Sequence, residues 1–283
     1  MRPILEMTEE EARGIRFVLT DIDDTLTRAG KLHPRSYNAL WELRVAGLKV
    51  IPVTGRPAGW CDLIAREWPV DGVVGENGAL AFWEEAEGNL PALKREFHPR
   101  AVKNDHPVLE GIKAKALGEI PGLRVARDQF ARLFDLALDF AEEEPVLSLL
   151  AAEQVRRMAE EAGAKARVSS IHVNIWMGNY DKLSMAEYFL TRRFGWKPGI
   201  EDAQVIFVGD SPNDEPMFAR FPLTCGVANI RRYQGLLKTF PGFTASREYG
   251  EGFAEIAAII LEKRDTRPVP RSYRGRAPRP RGR

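Results

Sequence analysis

The sequence predicts an α/β fold: a Rossmann-like parallel-sheet core interrupted by an inserted α+β cap domain. Three observations carry the prediction. Short continuous apolar runs, each ending in a polar turn, occur toward both ends of the chain, as strands buried on both faces require. Helical patterns separate them, and strands alternating with helices build parallel sheets. Mid-chain, the runs give way to residues alternating between apolar and polar, the mark of strands with one buried face. The 283 residues leave room for about two such domains.

Residues 17–20 form the first apolar run and deliver the acidic turn Asp21-Ile22-Asp23-Asp24-Thr25. After a turn at Ala29-Gly30, residues 34–46 read as a helix, with Pro34 near its start and Gly47 just past its end. A second strand, 50–53, leads into Thr54-Gly55-Arg56, and a third, 73–74, into Gly75-Glu76-Asn77-Gly78-Ala79. Residues 14–83 are thus the first part of the core. The cap is expected over 84–178, where Phe134, Leu136, Leu138 and Phe140 oppose Asp135, Ala137 and Asp139 on one strand. On another, Ile171, Val173 and Ile175 oppose His172, Asn174 and Trp176, and helical runs near 107–117 and 147–162 are placed to cover the apolar face. The core resumes over 179–263: strand 205–208 ends in Gly209-Asp210-Ser211-Pro212-Asn213-Asp214, short strands follow at 223–228 and 243–246, and 252–263 reads as a closing helix. A core assembled from both sides of an insertion places its site beneath the inserted cap.

Composition removes several classes. With 44% hydrophobic and 29% charged residues, whole-chain disorder, collagen and a simple coiled coil are excluded. The longest apolar run, 256–261, is six residues, against about twenty for a membrane span. The acidic start lacks the apolar stretch of a signal peptide, so the expected compartment is the cytoplasm. Only Cys61 and Cys225 occur, too few for a disulfide framework and, without a CxxC, a poor zinc site. The net charge of +1 hides an asymmetry: residues 264–283 hold eight arginines against one aspartate, a local +7 that leaves −6 on the rest. This basic tail has no hydrophobic period and reads as a disordered, solvated appendage; loose contact with RNA or another polyanion is the alternative.

Asp21, Asp23, Thr54, Asp210 and Asp214 each follow an apolar strand, and ligands of parallel sheets bind at the carboxyl ends of strands. Four carboxylates gathered there repel one another unless a hard, oxygen-loving cation such as Mg2+ joins them. An EF-hand loop counted from Asp21 fails, with Leu26 where glycine is needed and Leu32 where the bidentate glutamate belongs. No GxxxxGK[ST], GxGxxG or GxSxG pattern occurs.

Asp21-Ile22-Asp23-Asp24-Thr25 resembles the DxDxT signature of the haloacid dehalogenase-like (HAD) superfamily. Three further motifs agree in order: Thr54 resembles the second, Lys182 the third, and the 209–214 turn the metal-binding fourth. Glu76-Asn77-Gly78-Ala79 and the large insertion before Lys182 resemble the Cof-type branch with a type IIB cap, which includes sugar-phosphate phosphatases. The resemblance spans about residues 14–263, and Asp24 departs from it, standing where many relatives have glycine. It implies a Mg2+-dependent phosphatase acting on a small phosphorylated metabolite, with a phosphosugar the favoured class. Asp21 would attack phosphorus to form an aspartyl-phosphate, Asp23 would protonate the leaving alcohol, and Thr54 and Lys182 would hold and neutralise the phosphoryl group. By the same resemblance Asp21, the main chain of Asp23 and Asp210 bind the metal, with Asp214 supporting it or a water on it. Asn213 is either a ligand or a turn former, and Asn77 a turn stabiliser.

In the cap, His172, Asn174 and Trp176 are expected to look down on the phosphate and contact the leaving group. The competing expectation satisfies His172 locally and sets Trp176 over the hinge. Arg124 and Glu142-Glu143-Glu144 read as surface charge. Two rival functions stand beside the phosphatase: a phosphomutase of the phosphomannomutase type, and a non-catalytic RNA-associated protein using the tail.

Overall fold

A strand covered on both faces has no solvent side, so its apolar residues run on instead of alternating. The computed structural model describes residues 1–264 apart from Asn89 and Ser170; the basic tail therefore lies outside the described residues, save Arg264. Along the first part of the core run β1 (Arg2–Pro3), α1 (Glu9–Gly14), β2 (Phe17–Thr20), β3 (Thr27–Arg28), β4 (Lys31–Leu32), α2 (Pro34–Val45), β5 (Lys49–Pro52), α3 (Ala58–Glu67), β6 (Val73–Gly75), β7 (Leu80–Glu87) and β8 (Leu90–Phe97). The inserted unit holds α4 (Pro107–Glu119), β9 (Arg124–Val125), β10 (Asp135–Asp139), α5 (Leu149–Glu161), β11 (Lys165–Val168) and β12 (His172–Trp176). Then come α6 (Lys182–Phe194), β13 (Val205–Gly209), α7 (Glu215–Arg220), β14 (Leu223–Gly226), β15 (Phe243–Thr244) and α8 (Tyr249–Arg264).

The central sheet is parallel, in the order β1-β15-β14-β13-β2-β5. Alternate residues of each strand feed two cores. Val18, Val50, Ile206 and Val208 meet Leu40, Leu43, Ile256 and Ile260 of α2 and α8. Phe17, Leu19, Ile51 and Phe207 meet Met185, Phe189, Met217 and Phe218 of α6 and α7. From β2 the chain moves outward to β5 on one side and, after the insertion, to β13 on the other. The strand order therefore reverses between β2 and β13, and Thr20 pairs with Val208 there. Asp21 and Asp210, each just past its strand, emerge side by side at this switch point.

The cap sheet is antiparallel, in the order β11-β12-β10-β9, with α4 and α5 on one face. Leu136, Leu138, Val173 and Ile175 pack there against Leu109, Ile112, Val155 and Ala159, which leaves Asp135, Ala137, Asp139, His172, Asn174 and Trp176 on the other face. Two expectations shift. The boundary at residue 84 falls inside β7, because β7 and β8 form one hairpin continuing from β6; its base is buried against the core, and Glu85 and Glu96 pair with Arg193 and Arg192 of α6. Phe134 precedes β10 and does not share the face of Leu136; it packs edge-on to Phe97, with ring centroids 5.1 Å apart, where the cap meets the core.

Candidate active site

Asp21 leaves β2 with its N–H donated to the Val208 carbonyl at 2.9 Å, which ties the first acidic turn to the neighbouring strand. The turn then folds tightly, with Leu26 and Thr27 amides donating to the Ile22 carbonyl. Asp24 takes the left-handed conformation, φ 56°, which aspartate tolerates better than most residues. The small hairpin of β3 and β4 follows, its two turn residues Ala29 and Gly30 both at positive φ, as a two-residue turn of that kind requires.

Lys182 reaches the same spot from α6. Asp181 caps this helix, accepting from the Ser184 amide at 2.8 Å, and Lys182 is its first residue. Position also depends on the Glu76-Asn77-Gly78 loop: Gly78 has φ +102°, and a Cβ there would sit 2.0 Å from the Asp181 carbonyl oxygen. Only glycine lets the loop support the helix start so closely. Lys182 Nζ consequently lies 2.6 Å from Asp21 Oδ1 and 3.2 Å from Asp214 Oδ1.

Asp210 and Asp214 come from the turn after β13. Asp214 Oδ2 accepts from the amides of Asp210 (3.0 Å) and Ser211 (3.4 Å), and a Cβ on Gly209 would lie 2.4 Å from that oxygen. The glycine thus admits the carboxylate that closes its own turn. Asp210 Oδ1 accepts from the Thr25 hydroxyl at 3.3 Å and Oδ2 from Asn229 Nδ2 at 3.1 Å. Asp21, Asp210 and Asp214 are all buried, and each offers an oxygen within 4.8 Å of the others. Burial pushes the Asp21 carboxyl up to about 7, with Lys182 opposing and Asp214 and Asp23 adding to the rise. Asp210 is pushed well above the usual carboxylate range by burial and by Asp214 and Asp21. Burial alone would lower the Lys182 ammonium, but Asp21 and Asp214 outweigh it and hold it above its ordinary value. Three buried carboxylates around one ammonium leave a deficit of positive charge, and an all-oxygen donor set of this kind fits a hard divalent cation.

Asp23 does not join that cluster through its side chain. Its carboxylate is half-exposed and gripped by Arg56, with Nε 3.1 Å from both oxygens and Nη2 2.5 Å from Oδ1. Arg56 in turn lies over the Trp60 ring at 4.4 Å. Thr54 is fully buried at the end of β5, its amide on the Val74 carbonyl and its Oγ1 accepting from the Arg56 amide at 3.2 Å. Asn213 is half-buried and faces a cleft beside Lys182.

The cap closes over the loop 54–56. Arg132 Nη1 donates to the Gly55 carbonyl at 3.0 Å, and Asn77 Nδ2 to Asp135 Oδ2 at 3.2 Å, so Asn77 bonds the cap as well as shaping its turn. Buried Glu76 accepts amides from both sides, Ala58 of the core and Leu133, Phe134 and Asp135 of the cap. Of the three expected cap residues, Asn174 packs against this loop: a Cβ on Gly55 would lie 3.2 Å from its Nδ2. Trp176 donates to the Tyr180 carbonyl at 3.2 Å and packs against the Tyr180 ring, over the return to the core. His172 Nε2 meets Glu142 at 2.8 Å. His172 and Trp176 thus each have a local partner, and Trp176 also lines a cleft with Lys182. Sequence reasoning missed Arg56, although it follows Thr54-Gly55, and Asn229, which also follows an apolar strand but lacks a recognisable motif. Asn229 braces Asp210, donates to the Asp24 carbonyl at 3.0 Å and accepts from the Tyr249 amide at 2.9 Å.

Among the described residues, no helix is long and apolar enough to cross a membrane. The profile of the haloacid dehalogenase-like hydrolases matches residues 18–116. A phosphoglycolate phosphatase of Methanospirillum hungatei is 26% identical over 254 residues, 87% of this chain and 97% of that protein. The solved structure of Thermoplasma acidophilum 0175 superposes with a TM-score of 0.65 at 20% identity, covering 87% of this chain and 98% of that one. A subclass IIB sugar phosphatase of the HAD superfamily gives 0.56 at 16% identity, covering 88% and 98%. The turns after β2 and β13 and the start of α6 meet at one buried site, residues 18–116 match the haloacid dehalogenase-like hydrolases, and the chain as a whole shares its fold with a subclass IIB sugar phosphatase of the HAD superfamily.

Proposed function

We propose that the protein is a Mg2+-dependent phosphatase that hydrolyses a small phosphorylated metabolite, of the size of a sugar phosphate, through an aspartyl-phosphate on Asp21. The observation that carries the reading is the placement of Lys182 Nζ 2.6 Å from Asp21 Oδ1 and 3.2 Å from Asp214 Oδ1, beside Asp210. The names of two similar proteins, a phosphoglycolate phosphatase and a sugar phosphatase, agree in being phosphatases of small molecules.

An anionic carboxylate approaches a phosphate dianion against repulsion, so the charge must be offset during approach. Mg2+ held by Asp21 and Asp210, with Asp214 behind them, would supply Lewis-acid charge neutralisation. Lys182 adds an ammonium at the nucleophile itself. Asp21 forms a bond to phosphorus while the bond to the leaving oxygen breaks, and Asp23 gives that oxygen its proton. Water then attacks the phosphoryl group, Asp23 takes the water's proton, and Asp21 is freed with inorganic phosphate. Arg56 sets where the Asp23 carboxyl stands, and the Thr54 hydroxyl would donate to a phosphoryl oxygen. The docked cap excludes bulk water from this sequence, and its opening releases products.

Phosphate release from p-nitrophenyl phosphate, with Mg2+ and after chelation, tests this for the wild type and Asp21→Asn. Chelation is expected to abolish turnover, and the substitution to lower kcat by about a thousandfold or more. Near-wild-type Mg2+-dependent release by Asp21→Asn overturns the assignment, and conversion of glucose 1-phosphate to an isomer without free phosphate favours a phosphomutase instead.

A further inference from the structure

The cap face toward the core is rich in charge, and most of that charge is engaged within the cap or at its base. Arg124 holds Asp139 and the carbonyl of Glu144. Arg132 holds Asp128 and Asp135. Lys165 donates to Asn179 Oδ1 at 2.8 Å and to the Tyr180 carbonyl at 3.4 Å. Arg167 differs. It stands on β11 directly across from Asn174, is exposed, and among the described residues its side chain donates only to the adjacent Ala166 carbonyl, at 3.2 Å. It makes no ion pair among the described residues. Glu215, which borders the same outer hollow, turns Oε1 to the amides of Lys238 and Thr239 at 2.9 and 2.6 Å.

Arg167 also lines a narrow cleft of about 20 Å3 at the cap–core boundary, together with Asn77, Trp176, Lys182 and Asn213. Lys182 is the residue whose ammonium touches Asp21, so the cleft opens beside the phosphoryl site. Next to Arg167, Asn174 is buried and its Oδ1 has no hydrogen-bond partner among the described residues. A buried acceptor left unmade is costly, and a ligand hydroxyl satisfies it. A guanidinium offers forked donors matched to carboxylate and phosphate. The phosphoryl group has Lys182 and the acidic metal site for its own charge, so a further free cation in the cleft has a different anion to meet.

We propose that Arg167 is a specificity-determining residue that binds a second anionic group, a carboxylate or a second phosphate, on the leaving group, while Asn174 accepts a hydroxyl from it. This rests on the phosphatase reading and narrows its substrate class to phosphate esters of small anionic alcohols, such as hydroxy acids or sugar acids, over those of neutral sugars.

Steady-state kinetics with Mg2+ on 2-phosphoglycolate, 3-phosphoglycerate, fructose 1,6-bisphosphate and glucose 6-phosphate tests the proposal for wild type, Arg167→Ala and Arg167→Lys. The wild type is expected to favour substrates carrying a second anion. Arg167→Ala is expected to lower kcat/KM on those substrates about tenfold to a hundredfold more than on glucose 6-phosphate, chiefly through KM, and Arg167→Lys to recover part of the loss. Loss confined to the carboxylates or to the bisphosphate identifies which anion is bound. Equal losses on all four substrates, or a wild-type preference for glucose 6-phosphate, overturn it. If no phosphoester is cleaved, the phosphatase reading fails, and calorimetric titration of 2-phosphoglycolate into wild type and Arg167→Ala decides the role of Arg167. Binding at least tenfold weaker in the variant supports the anion site; equal binding, or none to either, overturns it.

Discussion

Lys182 has two carboxylates within hydrogen-bonding reach and a third close by, so its removal leaves buried negative charge with no ammonium beside it. Lys182→Met, which keeps the stem and deletes the charge, is expected to lower kcat on p-nitrophenyl phosphate by about a hundredfold to a thousandfold with Mg2+ present. Retention of kcat within about threefold would show that the ammonium does not act on the phosphoryl group. Asp23 is tested by leaving-group chemistry. Asp23→Asn is expected to slow hydrolysis of alkyl phosphates by about a hundredfold or more, and that of p-nitrophenyl phosphate much less, since nitrophenolate departs without a proton. Equal losses would deny Asp23 the acid role. Asp21, Asp23, Lys182 and Asp210 were legible because each sits in a short motif at a strand or helix end. Arg56 and Asn229 were not, because their roles depend on partners, Asp23 and Asp210, that only the folded chain brings within 3.1 Å.

Elements set these distances through one close approach of backbone and one buried carboxylate at the cap–core seam. Gly78→Ala places a methyl where the Asp181 carbonyl stands and demands φ +102° of a residue with a Cβ. It is expected to cost about 2–3 kcal/mol in urea unfolding and to lower kcat with it, since α6 must shift and carries Lys182 along. Unchanged stability and kcat would show that the loop yields without moving the helix. Glu76→Ala removes one carboxylate from four amides at the cap–core seam and is expected to destabilise by about 2–4 kcal/mol by the same measurement. The buried strands and the main helices were readable because apolar runs, helical periods and caps are local signals. The hairpin of β7 and β8 was not. Its exposed end, 84–88, is as polar as a domain boundary, and only its pairing with β6 and its packing on α3 and α6 attach it to the core.

For the molecule as a whole, several buried acids are poised to bind protons in the folded state: Asp21 and Glu76 are raised to about 7, and Asp135 and Asp210 are raised as well, burial being the leading cause for each. An acid whose folded pKa exceeds its unfolded value binds more protons when folded, so its contribution is most favourable at low pH and is lost as pH rises toward the folded pKa. Urea stability in a chelator is therefore expected to decline, through these groups, between about pH 4 and pH 7, and Mg2+ to stabilise more at the upper end, where the carboxylates are ionised. A Mg2+ effect of the same size at both ends would contradict this. Cap and core were legible as separate patterns, but their contact was not: the seam is made by Arg132, Asp135, Glu76 and Asn77, residues whose partners lie more than fifty positions away. The central claim, that Asp21 receives the phosphoryl group, is tested most directly by acid-quenching the wild type during turnover of p-nitrophenyl phosphate and locating phosphate by peptide mass spectrometry. One phosphoryl group on the peptide bearing Asp21, absent from Asp21→Asn, is the expected result; phosphate on another side chain, or turnover with no phosphorylated peptide at any quench time, would contradict it.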